Sequence, residues 1–172
     1  MSIVLACSFW PWRTESAIAA SCPTQLEPLV AQLLPELPSY ANRVVQRSRR
    51  LDSDRRDITY IMLAGRAEFE PLSLGLGEPP PAEPQQVFFT TLERQYTGDR
   101  QIDRQNYYWL FLTQADDGWR LAALYLRFGT TRDGGYPSPP REASNGVIGR
   151  AIQLWLRDCR AGAVRSRTDP PD

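Results

Sequence analysis

The chain has no histidine, and its 20 basic residues include no lysine: every one is arginine. Those absences remove whole reaction classes from what its own side chains can do. Schiff-base chemistry needs an amine, the phosphate-binding P-loop needs its lysine, and Ser-His-Asp or Cys-His catalysis needs an imidazole base. Cysteine is scarce too, at positions 7, 22 and 159, a spacing that matches no common zinc site. Neither sign of charge is in excess, since 20 acidic residues balance the 20 arginines. No global field therefore points at nucleic acid, an anionic membrane or a polyanion. The uncharged runs are also too short to span a bilayer as a helix. The expectation at this level is no cofactor, no metal, no nucleic acid and no transmembrane span.

What is present suits one domain. A chain of 172 residues with 42% hydrophobic content can build a single buried core. Its start, "SIVLACSFWPW" (2–12), carries no charge and is followed by the small-x-small triplet Ala17-Ile18-Ala19. An apolar core before a small-residue cleavage site is the pattern of a signal peptide, although only Met1 and Ser2 precede the run here. Residues 1–21 are expected to be such a segment, with a buried strand or tail as the alternative.

Cleavage there leaves Cys22 and Cys159, and two cysteines in an oxidising compartment suggest one disulfide. It would close almost the whole chain, worth roughly 4 to 5 kcal/mol in the loop-entropy account. The competing reading is a lipid anchor at Cys22, for which "AAS" is a poor leader and which leaves Cys159 unpaired. The expected location is the periplasm or the exterior, with a thylakoid lumen as a further possibility.

Along residues 22–160, Thr24 and Glu27 have capping-box spacing, and Leu26, Leu29, Val30, Leu33, Leu34 and Leu37 form one helical stripe. With Pro35 and Pro38 as stops, the spacing predicts a helix over 24–36. "RVVQRSRR" and the apolar run Ile58–Phe69 then read as a hairpin around "LDSD", the second strand central in the sheet. "GLGEPPPAEPQQ" is a surface loop and "VFFTTLERQY" a strand. "NYYWLFLTQADDGWRLAALYLRF" is a hairpin turning at Asp117-Gly118.

After a polar loop at 129–146, Ser144 or Asn145 is placed to cap a helix whose apolar face is Ile148, Ala151, Ile152, Trp155 and Cys159. The remainder, 161–172, reads as a disordered tail. The fold class is α+β: about five antiparallel strands in a meander, flanked by an N-terminal and a C-terminal helix in two layers.

Three sets of residues are candidate sites. Arg43, Arg47 and Arg49, with Arg50, Arg55 and Arg56, would offer guanidinium forks to phosphate or carboxylate, against the neutralising Asp52, Asp54 and Asp57. Tyr107, Trp109 and Phe111 alternate onto one sheet face, with Trp119 and Tyr125 on the facing strand. They are either an exposed strip for a partner or cross-strand core pairs. Glu68, Glu93 and Asp103 are the acids near strands, but nothing in the sequence brings two of them together.

"LLPELPSYANRVVQRSRR" and "YYWLFLTQADDGWRLAALYLRFG", framed by Cys22 and Cys159, resemble a group of uncharacterised secreted or envelope-associated proteins of cyanobacteria, which carries no activity to transfer. The "DDGWRL" hairpin is also similar to the last hairpin of NTF2-like cone-shaped domains, from which the helix order here departs. The sequence thus leads to an exported, non-enzymatic binding or scaffold domain for an unknown protein or small molecule. The alternative is an NTF2-like ligand pocket or hydrolase working with Asp, Glu and Tyr. A pocket lined by an acid and a tyrosine separates the two.

Overall fold

Leucine spacing carries the first helix much further than its prolines suggest. In a computed structural model, which describes residues 22–51, 58–70, 84–131 and 138–164, helix α1 runs Leu26–Leu51, straight through Pro35 and Pro38. A proline inside a helix costs about 3 kcal/mol. Past Pro35 the apolar stripe continues, with Leu37, Tyr40, Ala41 and Val44 all buried. Each large side chain returns about 1.5 to 3 kcal/mol on burial, so the stripe outweighs the broken ladder. The expected stop at 36 is corrected, and "RVVQRSRR" belongs to this helix rather than to a strand. The start is also later than the capping box implies: the Leu29 amide donates to the Gln25 carbonyl at 3.2 Å.

Four longer strands follow in a meander, β1 (Ile58–Leu63), β2 (Gln85–Thr97), β3 (Arg100–Ala115) and β4 (Gly118–Thr131), with a two-residue β5 (Arg141–Glu142) before helix α2 (Val147–Arg160). The sheet order is β1-β2-β3-β4-β5, every neighbour antiparallel. This is the expected two-layer α+β architecture, with its N-terminal and C-terminal helices. The β3–β4 loop is Asp116-Asp117, one residue earlier than expected, and Gly118, at φ +115°, opens β4 opposite Ala115, whereas in the β2–β3 turn the positive angle, Gly98 at φ +57°, falls inside the loop itself.

The Ile58–Phe69 run is an edge, not the centre. β1 stops at Leu63, and after Gly65 (φ +110°) the chain rejoins β2 through a single bridge from Glu68 to Phe88. The outer side of β1 is met by α1: Asn42 Nδ2 donates to the Ile61 carbonyl and Asn42 Oδ1 accepts the Ile61 amide, both at 2.9 Å. One side-chain amide thus does for the edge what another strand would do. The turn read at 52–54, most of the proline-rich loop and residues 1–21 lie outside the described residues.

Strand alternation divides the sheet. Val87, Phe89, Leu110, Leu112 and Leu124 face the helices and are fully buried, against Leu29, Leu33 and Leu37 of α1 and Ala151, Ile152 and Trp155 of α2. The stripe read for α2 is therefore the buried one. Its cap is not as expected. Gly146 holds the N-cap position without a side-chain bond, because the Ser144 hydroxyl instead accepts the Leu124 amide at 2.9 Å.

At one end the helix layer is locked. Cys22 and Cys159 form a disulfide across 137 positions, with Cα atoms 5.1 Å apart. Beside it Trp119, fully buried, donates Nε1 to the Pro23 carbonyl at 3.0 Å, and Arg160 donates to the Trp119 carbonyl at 2.7 Å. Of the expected tail, Ala161–Val164 is described, and Val164 is buried. No helix among the described residues is long and apolar enough to cross a membrane.

Candidate functional site

At the opposite end of the same layer the helices leave a cavity of about 670 Å³, within the range of small-molecule sites. Its walls are Val45 and Ser48 near the end of α1, and Val147 and Ile148 at the start of α2. The floor is the helix-facing side of the sheet. Along β2 and β3 that face reads Val87, Phe89, Thr91, Glu93 and Leu112, Leu110, Tyr108, Asn106, Arg104, because alternate residues share a side. The first residues of each series are core; the last are polar. The cavity begins where the apolar pattern ends.

Glu93 and Arg104 are direct cross-strand partners, which places their Cβ atoms about 5 Å apart. No ion pair joins them among the described residues. The Glu93 carboxylate instead accepts Asn106 Nδ2 at 2.9 Å, and the Arg104 guanidinium lies 5.1 Å from the centre of the Phe128 ring. Arg141 lies over the same ring, at 4.2 Å. Two guanidinium groups thus share one aromatic ring at the mouth, a favourable cation–π placement that uses up none of their hydrogen-bond donors.

Beneath them, Asn106 is 1% exposed and Thr91, its partner on β2, is 2% exposed. Asn106 Oδ1 and Thr91 Oγ1 are buried with no hydrogen-bond partner of good geometry among the described residues, a costly state; both side chains lie beside the Tyr108 hydroxyl, and neither residue is part of the cavity lining. Tyr108, 5% exposed, completes the floor. Burial, and then the nearby Glu93 carboxylate, pushes its phenol well above the ordinary range, so its hydroxyl remains a proton donor. At the rim, hydrogen bonds from Ser144, its hydroxyl first and its backbone amide second, hold Glu142 below the usual carboxylate range. The amide bond is 2.6 Å.

The acids of the sequence reading are separated by strand alternation. Glu93 enters the cavity; Asp103 is on the other sheet face, bound by Arg94 through two hydrogen bonds of 2.8 and 3.0 Å; Glu68 is exposed at the edge bridge. The arginine set does not form a hairpin surface. Arg43, Arg47 and Arg49 all fall in α1, with Arg43 over the Tyr40 ring at 4.1 Å. Arg55 and Arg56 lie outside the described residues.

Tyr107, Trp109 and Phe111 do share one face, the one turned away from both helices, and each is half-buried. Phe88 packs against Tyr107 and Trp109 at 6.4 and 5.4 Å, and Phe111 meets Tyr125 edge-on at 6.0 Å. Trp119 is not part of this strip; it belongs to the locked end.

Sequence reasoning passed over Arg104, Asn106, Phe128 and Arg141. The signal available was the loss of apolar residues at every second position after Phe89 and before Tyr108, on two strands that pair. Among the described residues no group of three His, Cys, Asp or Glu side chains is placed to hold a metal ion. Comparison with protein-family models, with curated proteins and with solved structures finds no match to this chain.

Proposed function

We propose that this chain is an exported, non-enzymatic domain that binds a small polar molecule in the cavity between the sheet and the open end of its two helices. The observation that carries the reading is the cavity of about 670 Å³ whose lining sets Glu93 and Tyr108 on the floor and Arg104 and Arg141 at the mouth, where the sheet face would otherwise continue the core. A domain that needed only a core would put apolar side chains there, as its other end does. Binding is favoured over hydrolysis because Glu93, the acid on the cavity floor, is engaged by Asn106, and among the described residues no second carboxylate stands on the floor beside it. Export to an oxidising compartment is supported by the disulfide.

Thermal denaturation of the purified protein with millimolar amino carboxylates, dicarboxylates, neutral sugars and polyamines tests the pocket. One class is expected to raise the midpoint by several degrees, the shift that saturating a single site produces. Val147→Trp, which fills the cavity from its wall, is expected to abolish the rise. Failure of all four classes to move the midpoint would overturn the reading. Intact mass with free thiols blocked tests export: a mass that begins near Ala20 and lacks two hydrogens is expected, whereas an uncleaved chain with blocked Cys22 and Cys159 refutes it.

A further inference from the structure

We infer that the ligand is a compact zwitterion carrying an amine and a carboxylate, held with its amine against Glu93 and its carboxylate between Arg104 and Arg141. The inference rests on the pocket reading above and narrows it to one chemical class. Neighbouring residues of opposite charge on paired strands ordinarily meet. Here Glu93 and Arg104 are opposite one another, yet each is turned to a neutral neighbour, Asn106 in one case and the Phe128 ring in the other. The floor and the mouth of the cavity therefore hold separated charges of opposite sign.

The remaining groups agree with that polarity. Asn106 Nδ2 holds one oxygen of the Glu93 carboxylate, and Glu93 is part of the lining, where an ammonium group would meet it. At the mouth, the donors of Arg104 and Arg141 bond to no carboxylate among the described residues, although both guanidinium groups are pinned on one ring. A planar carboxylate takes two parallel hydrogen bonds from such a fork. Helix α2 begins beside them with no acidic residue in its first turn and no side-chain cap, which adds to the preference for negative charge there. Glu142, the one acid at the rim, is already bound by the Ser144 amide. The lining holds two acids and two arginines, and a ligand with no net charge leaves that balance intact.

The test is calorimetric titration of the intact, disulfide-bonded protein with glycine, β-alanine, 4-aminobutyrate and 5-aminopentanoate, against propylamine, butyrate and succinate. At least one amino carboxylate is expected to bind, with every singly charged or doubly anionic control at least tenfold weaker, the loss expected for removing one charge-assisted contact. Glu93→Gln and Arg104→Gln are each expected to weaken that binding about tenfold or more while the thermal midpoint without ligand stays in place. The ligand-side comparison needs no variant, so it decides the matter even if a substitution unfolds the chain. Succinate or a sugar binding in preference to every amino carboxylate would overturn the zwitterion and leave the pocket standing. Amino carboxylates binding equally well to both variants would also overturn it. No binding by any class in the thermal panel removes the pocket itself.

Discussion

The two ends of the helix layer are built on one sheet by one pair of helices, yet they solve opposite problems. At the locked end Cys22, Cys159, Trp119 and Arg160 close the chain on itself, and the space between helices and sheet is filled by leucine, tryptophan and phenylalanine. At the open end the same strands carry Glu93, Arg104 and Asn106, and a cavity replaces the core. A domain that gives up core at one end needs its stability from the other. The covalent clasp is placed at the end of the layer away from the cavity that Glu93 and Arg104 line.

Breaking the clasp should have the largest effect. Cys22→Ser with Cys159→Ser is expected to lower unfolding stability by about 4 kcal/mol, as the removal of a bridge closing so long a loop predicts. Urea denaturation of the oxidised wild type against the double variant measures it, and a change below about 1 kcal/mol would mean that hydrogen bonds and packing alone hold the locked end. Next in size is Asn42→Ala, which strips the Ile61 amide and carbonyl of their partner on the edge strand. A loss of about 1 to 3 kcal/mol is expected, with hydrogen exchange in β1 rising more than in β3.

The open end should behave in the opposite way. Glu93→Gln, which keeps an acceptor for Asn106, is expected to change stability by less than about 1 kcal/mol while weakening ligand binding. If it instead destabilises the fold as much as the loss of Asn42, the cavity residues are structural. The smallest effect at neutral pH is that of Tyr108→Phe. The folded state holds the phenol proton more tightly than the unfolded chain, whose tyrosines titrate near 10. The stability tied to it is complete below that pH and is lost as pH rises above it. Tyr40, raised by burial and by its hydrogen bond to Asp158, adds to the same alkaline decline. Tyr108→Phe should flatten the fall in stability above about pH 10, measured by denaturant titration across the alkaline range.

The sequence was most readable where one physical signal stood alone. Gly118 after two aspartates announced its turn, the Ile148-to-Cys159 stripe announced α2, and the cysteines, placed beside the two helices, announced the clasp. It misled where two signals competed. Pro35 and Pro38 spoke for a stop, but the stripe through Leu37, Tyr40 and Val44 spoke for continuation, and burial won. Five strands were expected and five are present among the described residues, but the membership differs: the arginine-rich segment joined α1, and the pair Arg141–Glu142 formed the last strand.

The apolar character of Ile58–Phe69 suggested a central strand, but only Ile61 of β1 is buried and Tyr60 is exposed, as an edge allows. Asn42, which makes that edge tolerable, gives no local sign of its role. For the site, Glu93 was visible as an acid near a strand. Its partners were not, since only the β2–β3 register brings Arg104 opposite Glu93 and Asn106 opposite Thr91. The turn that fixes this register is Gly98-Asp99, a short signal overshadowed by the longer hairpin that follows.

The bridge between Cys22 and Cys159 turns nearly the entire folded chain into a ring. A protease that cuts a single peptide bond in any loop inside that ring releases nothing: the two pieces stay tethered through sulfur, and the nicked molecule keeps every strand and both helices within reach of one another. In surroundings rich in proteases, such a chain survives first cuts that would dismember an open one.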